Sequence, residues 1–134
     1  MAVVRSDTQP IRSSEDVVLV RRAVRDFAKV AGFSLVDETK IVTAASELAR
    51  NALQYGGGGT VLLEALNDDT RRGVRLVFED QGPGIADVEQ ALRDGYTTGG
   101  GLGLGLSGAR RLANEFEIDS KPGVGTRIAI TRWK

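Results

Sequence analysis

The chain of 134 residues contains no cysteine and no histidine. The first absence excludes disulfides, thiolate metal sites and thiol nucleophiles. The second removes the usual general base, the commonest zinc ligand and an imidazole phosphoacceptor. Neither sign of charge is in excess: Lys plus Arg and Asp plus Glu number 18 each. A nucleic-acid binder that works through a broad basic field is therefore not expected. No apolar run approaches the roughly 20 residues a membrane span needs, so no membrane is expected as a partner. The opening MAVVRSDTQP carries too short an apolar patch for a signal peptide. These absences predict one cytoplasmic domain over residues 1–134, whose chemistry rests on carboxylates, amides, hydroxyls and backbone.

Glycine, by contrast, is plentiful, at 17 residues, and is concentrated rather than scattered. The pattern around it sorts into helices and strands. Ser13 begins a capping signal with Glu15 and Asp16 behind it. Val17, Val20, Val24, Phe27 and Ala31 then recur at helical spacing, and Gly32 marks the stop. A second helix is predicted from about Asp37, with Ile41, Ala44, Ala45, Leu48 and Ala52 on its buried stripe, ending at Gly56–Gly59. Two strands are predicted at 60–66 and 73–79, joined by NDDTRR. In the second, Val74, Leu76 and Phe78 alternate with Arg75, Val77 and Glu79. A short strand near 10–12, a helical segment at 87–93, a helix at 104–116 and a hairpin of 116–120 with 126–133 complete the reading. Early helices and neighbouring hairpins predict an α+β, two-layer sandwich: a mixed, mostly antiparallel sheet covered on one face by helices.

Three short constellations carry chemistry. In ELARN, Glu47 and Asn51 lie four residues apart, stacked one turn from each other beside the apolar stripe. A carboxylate and a carboxamide there can hold a hydrated Mg2+ and orient a hydroxyl, or can simply be the polar edge of an amphipathic helix. In DQGPGI, Asp80 ends a well-patterned strand, where it can accept from the exocyclic amine of a base while Gly82 and Gly84 admit a flat ring. The plainer account is a tight turn. In TTGGGLGLGLSG, glycine-rich backbone leads into a helix N-terminus and offers N–H groups to an anion, or forms a surface loop. A Rossmann site is excluded because no strand precedes it, and a Walker loop because the chain has no Gly-Lys pair.

Taken in order, these motifs resemble the N, G1 and G2 boxes of the GHKL ATP-binding superfamily, which includes gyrase, the Hsp90 chaperones, histidine kinases and MutL. The match runs from Glu47 to Thr126. The short lid is similar to that of the bacterial anti-sigma factor and serine-kinase branch. ELARN, EDQGPGI, DGYTTGGGLG and GVGT are similar to the stressosome switch kinases within it.

The resemblance implies a Bergerat fold that uses ATP and Mg2+. It implies Asn51 as the magnesium ligand and Glu47 as the catalytic base toward the acceptor serine. It implies Asp80 as reader of the adenine amino group, Gly82, Gly84 and Ile85 as the adenine pocket, and Thr126 as support beside Asp80. Thr98, Gly99, Gly100, Gly101, Leu102, Gly103, Leu104 and Gly105 are implied as lid and phosphate cradle. Kinases of this branch phosphorylate a serine or threonine of a STAS-domain partner, and the switch kinases then activate a PP2C-type phosphatase. The alternative is an anti-sigma factor that sequesters a sigma factor in a nucleotide-dependent way. One departure stands out: Arg93 is the only cation between Gly84 and Gly108. The transferring phosphoryl would be stabilised by it or by a partner.

Overall fold

The computed structural model describes residues 2–93 and 104–134. Its elements, in chain order, are β1 (Ala2–Ile11), α1 (Ser14–Val30), α2 (Leu35–Gln54), β2 (Gly59–Asp68), β3 (Arg71–Asp80), α3 (Val88–Ala91), α4 (Leu104–Leu112), β4 (Glu115–Lys121) and β5 (Gly125–Trp133). The five strands form one sheet in the order β1-β2-β3-β5-β4. Every pairing in it is antiparallel, so among the described residues the parallel component that a mixed sheet would contain is not found.

Local chemistry explains where the helices begin. The Ser13 side chain accepts from the Asp16 N–H at the start of α1. The Ser34 hydroxyl likewise accepts from the Asp37 N–H at 3.2 Å. Asp37 and Glu38 thus fill the first turn of α2, and the helix starts two residues earlier than the pattern predicts. α4 ends at Leu112, not at Phe116. Asn114 breaks it: its N–H donates to Thr131 O at 2.9 Å, and its side-chain oxygen accepts from the Trp133 N–H at 2.7 Å. Phe116 is thereby drawn into β4. Arg132 donates to Leu112 O at 2.9 Å and so occupies a carbonyl of the last turn.

The strands are longer than predicted. The connection between β2 and β3 shrinks to residues 69–70, with Arg71 bonded back to Asp68 at 2.9 Å. β1 is the largest departure, a ten-residue edge strand where only 10–12 are predicted. Nearly all of it is exposed, so it lacks the apolar alternation that betrays a half-buried strand. Its register against β2 holds it in place instead.

One face of the sheet carries the core. Val61, Leu63, Val74, Leu76, Phe78, Ile128 and Ile130 meet Val20, Val24, Phe27, Ile41 and Leu48 from the helices, all nearly or wholly excluded from solvent. Burying a side chain of this size is worth about 1.5–3 kcal/mol, which is what welds the two layers. This packing lays α2 across the sheet and brings its last turn onto the end of β3. There Gly56 faces Asp80 so closely that a Cβ would strike that side chain.

Candidate functional site

A cavity of about 80 Å³ opens where the C-terminal half of α2 crosses the ends of β3 and β5. α2 contributes Leu48, Asn51 and Ala52, and its C-cap residue Tyr55 continues the same side. The sheet contributes Phe78 and Asp80 from β3 and Thr126 and Ile128 from β5. Pro83, Gly84 and Ile85 close one side, and Leu106 of α4 reaches in from another.

Asp80 and Thr126 are paired in register on adjacent strands, and Thr126 is paired with Ser120 of β4. One row across the sheet therefore reads Asp80, Thr126, Ser120. Residues opposite each other in an antiparallel pair point to the same face, so all three look toward the cavity side. Asp80 Oδ1 accepts from the Gly82 N–H at 3.0 Å, which fixes the carboxylate, and its other oxygen has no partner among the described residues. Ser120 Oγ and Thr126 Oγ1 lie 2.7 Å apart.

Ser120 also accepts from the Ile85 N–H at 2.8 Å and lies 3.2 Å from Gly125 O. The turn after β3 is thus tied to the β4–β5 hairpin. A second tie is the Gly123 N–H, which donates to Pro83 O at 2.8 Å. Gly84, with φ of 76°, adopts a left-handed conformation, and a Cβ there would run into Lys121 O. Gly82 lies against the Gly56 backbone, so neither position has room for a side chain. DQGPG is therefore a tight turn and a cavity wall at once.

Among the described residues three buried side-chain polar atoms lack a partner: Arg132 Nε, far from the cavity, and Asn51 Nδ2 and Tyr55 Oη beside it. Asn51 and the C-cap residue Tyr55 stand four residues apart and line the same cavity. Leaving such a group unsatisfied costs about 1–3 kcal/mol, so a ligand or water that offers acceptors on this wall is favoured. Glu47 stands one turn before Asn51 but outside the cavity lining, half-exposed. Arg50 Nη1 donates to its Oε1 at 3.1 Å. The second Glu47 carboxylate oxygen has no hydrogen-bond partner among the described residues.

Of the residues singled out by sequence, Asn51, Asp80, Gly84, Ile85 and Thr126 converge on the cavity. Gly82 lies beneath the turn and Glu47 beside the mouth. Leu104 and Gly105 open α4. Thr98, Gly99, Gly100, Gly101, Leu102 and Gly103 fall outside the described residues. Sequence reading missed Tyr55, although it stands four residues after Asn51 and hence one turn on. It missed Ser120, which only the hairpin register places beside Thr126.

The donor set suits an adenine nucleotide. An exocyclic amine would meet the free oxygen of Asp80, and a flat ring would lie among Ala52, Phe78, Ile85 and Ile128. Polyphosphate oxygens or their cation would meet Asn51, whose carboxamide offers both an acceptor and donors. Among the described residues no three acidic groups converge to cage a metal. A cation here would rely on Asn51, water and ligand oxygens, as Mg2+ commonly does.

Residues 36–134 match the family described as histidine kinase-, DNA gyrase B- and HSP90-like ATPases. The chain is 44% identical to the serine/threonine-protein kinase RsbT of Bacillus subtilis, over 92% of each chain. It is 29% identical to an anti-sigma F factor of Clostridium beijerinckii, over 91% of this chain and 89% of that one. The crystal structure of the RsbU and RsbW domains of Rv1364c from Mycobacterium tuberculosis superposes with a TM-score of 0.67 at 20% identity. That superposition covers 98% of this chain and 33% of the longer one. The SiaB–SiaC complex of Pseudomonas aeruginosa gives 0.57 at 16% identity, over 98% and 91%. These two structures share the fold: an α+β, two-layer sandwich with an open antiparallel sheet. With a family match over most of its length and an RsbT-like sequence nearly throughout, the chain belongs to the histidine kinase-, DNA gyrase B- and HSP90-like ATPases.

Proposed function

We propose that the chain is an ATP-dependent serine/threonine-protein kinase that phosphorylates a STAS-domain partner and, once released from it, activates a PP2C-type phosphatase in a bacterial partner-switching pathway. The observation that carries this reading is the α2 ridge. Glu47, with one carboxylate oxygen free, stands one turn from the unpartnered Asn51 amide at the mouth of the cavity. The likeness to the RsbT kinase supports it.

In this reading Asp80 and Thr126 hold the adenine, and Asn51 holds Mg2+. The metal, when bound, neutralises phosphate charge. The acceptor hydroxyl oxygen bonds to the γ-phosphorus, the bond from that phosphorus to the β–γ bridging oxygen breaks, and ADP leaves. Glu47 orients the hydroxyl and takes its proton. Such a transfer asks for positioning and charge neutralisation more than for covalent chemistry, so a chain without histidine or cysteine can perform it.

The test mixes the protein with labelled Mg-ATP and STAS-domain proteins of the source organism. Label should pass to a serine or threonine, and Glu47→Gln should slow transfer by about 10²–10⁴-fold, the usual size of a general-base contribution. Full transfer by the variant would remove Glu47 from the role.

A second reading rests on the anti-sigma F relatives, 26–30% identical. There the protein sequesters a sigma factor, and nucleotide sets its conformation. A pull-down decides: a sigma factor as the stable, unphosphorylated partner favours sequestration, and a STAS protein or phosphatase favours the switch kinase.

A further inference from the structure

A chain of hydrogen bonds runs into the row of Asp80, Thr126 and Ser120, and its direction can be followed atom by atom. It begins in the turn after β3, where the Ile85 N–H donates to Ser120 Oγ at 2.8 Å. A backbone N–H can only donate, so this bond takes one acceptor position of the hydroxyl. The Gly123 N–H donates to Pro83 O at 2.8 Å, which holds the turn against the β4–β5 hairpin and keeps the Ile85 amide in place.

A serine hydroxyl carries one proton, and two acceptors stand near that of Ser120. Gly125 O lies at 3.2 Å and Thr126 Oγ1 at 2.7 Å. An O–H donor bonds best at about 2.7–2.8 Å and reaches to about 3.0 Å, so Thr126 takes the proton. The reverse arrangement, with Thr126 donating to Ser120, would leave the Ser120 proton only the long contact to Gly125 O. With Ser120 donating, the Thr126 proton is turned elsewhere. Thr126 lines the cavity and Ser120 does not, so that proton is offered to the cavity. Hydroxyls that each accept one bond and donate the next also polarise one another in the same direction.

Beside Thr126 stands the Asp80 carboxylate, fixed by the Gly82 N–H. The row therefore presents an acceptor at Asp80 and a donor at Thr126. The pairing edge of adenine is its complement: an amine that donates, next to N1, which accepts. The pairing edge of guanine is the opposite, a carbonyl that accepts next to an N–H that donates.

We infer that Ser120 is a positioning residue for base recognition: it passes the direction of the Ile85 amide on to the Thr126 hydroxyl, which then donates to N1 of adenine. The inference rests on the ATP site of the kinase reading above and adds what sets the hydrogen-bond polarity of that site. Ser120 acts through Thr126 alone, since it lies outside the cavity lining.

The test compares, by calorimetry with Mg2+, the affinity for ATP and for 1-deaza-ATP, which has a C–H in place of N1. Wild type should favour ATP by about three- to tenfold, the worth of one hydrogen bond. In Ser120→Ala the Thr126 hydroxyl turns freely, and the ratio should fall to within about twofold. Ser120→Thr keeps the hydroxyl and should keep the wild-type ratio; a ratio lost there too would trace the effect to packing and overturn the inference. A wild-type ratio retained in Ser120→Ala, however far both affinities fall, would make Ser120 a tie of the turn alone and also overturn it. Equal affinities in the wild type would mean that Thr126 offers no donor, which refutes the relay and leaves ATP binding standing. A wild type that binds neither nucleotide would overturn the ATP site and the relay with it. If Ser120→Ala fails to fold, Ser120→Cys decides by the same ratio. A thiol is a weak donor, so the ratio should narrow, and an unchanged one would refute the inference.

Discussion

Asn51 and Tyr55 each bury a hydrogen-bonding atom that nothing among the described residues satisfies. In a structural core such atoms are a defect, and in a binding wall they are a preference for what comes next. Tyr55→Phe separates the two accounts, because it deletes the phenolic oxygen and little volume. The unliganded variant should be more stable than wild type by about 1 kcal/mol, since an unpaired buried hydroxyl is removed. Its ATP affinity should fall by roughly three- to tenfold, the loss of one hydrogen bond. Denaturant melts with and without nucleotide check both signs. A variant that is less stable and binds ATP normally would make Tyr55 a packing residue only. The residue scale also shows where sequence is readable. Asp80 was legible because a clean alternation placed it at a strand end and DQGPG followed. Ser120 was not, since its partners Ile85 and Thr126 meet it only after the hairpin register is set. Gly56 was legible as a helix stop. Its contact with Asp80 depends on how α2 crosses the sheet, which no local pattern encodes.

Elements hold these residues at fixed spacing, and one side chain far from the cavity does much of that fixing. Arg132 on β5 bonds Asp37 at the start of α2 at 2.6 Å and Leu112 O at the end of α4 at 2.9 Å. It therefore ties two helices to the sheet at the end opposite Asn51. Arg132→Ala should cost about 1–3 kcal/mol, because it removes a charged hydrogen bond to the partly exposed Asp37 carboxylate and frees a helix terminus. ATP affinity should fall less than stability does, since no cavity residue changes. The same pair sets a pH dependence. The Arg132 guanidinium hydrogen-bonded to Asp37 holds its carboxyl below the usual carboxylate range. A lowered folded pKa gives stability that is present above the unfolded value of about 3.9 and is lost as pH falls through the folded one. Asp37→Asn should therefore lower stability at neutral pH and flatten the acid limb of the stability curve. An acid limb unchanged in that variant would assign the acid sensitivity elsewhere. The helices and hairpins themselves were readable from capping serines and alternation. β1 was not, because an exposed edge strand buries no face and so shows no period.

At the scale of the whole molecule, the cavity is a seam between layers. α2, α4, β3, β5 and the turn after β3 all line it. A ligand there adds contacts among elements that the core, the β3–β5 ladder and Arg132 already join, so binding and global stability are coupled. A ligand at 100 times its dissociation constant adds about 2.7 kcal/mol. For a chain of this size that corresponds to a rise in melting temperature of about 10 °C. Mg-ATP should produce such a rise, with a logarithmic dependence on concentration. Mg-GTP at the same concentrations should not. Adenine presents an amine hydrogen-bond donor where guanine presents a carbonyl acceptor, and an acceptor facing the Asp80 carboxylate is repelled. The two nucleotides carry the same phosphates, so the difference between them isolates the base-reading role proposed for Asp80 and Thr126 from the phosphate-side role proposed for Asn51. Asp80→Asn replaces a carboxylate oxygen by an amide and should reduce the ATP shift by most of its size, since a hydrogen bond to a charged group is worth about 1.5–3 kcal/mol. It should also narrow the gap between ATP and GTP, because an amide can face either base edge. Equal shifts from ATP and GTP in the wild type would mean that phosphate alone drives binding, and the adenine assignment of the cavity would be wrong.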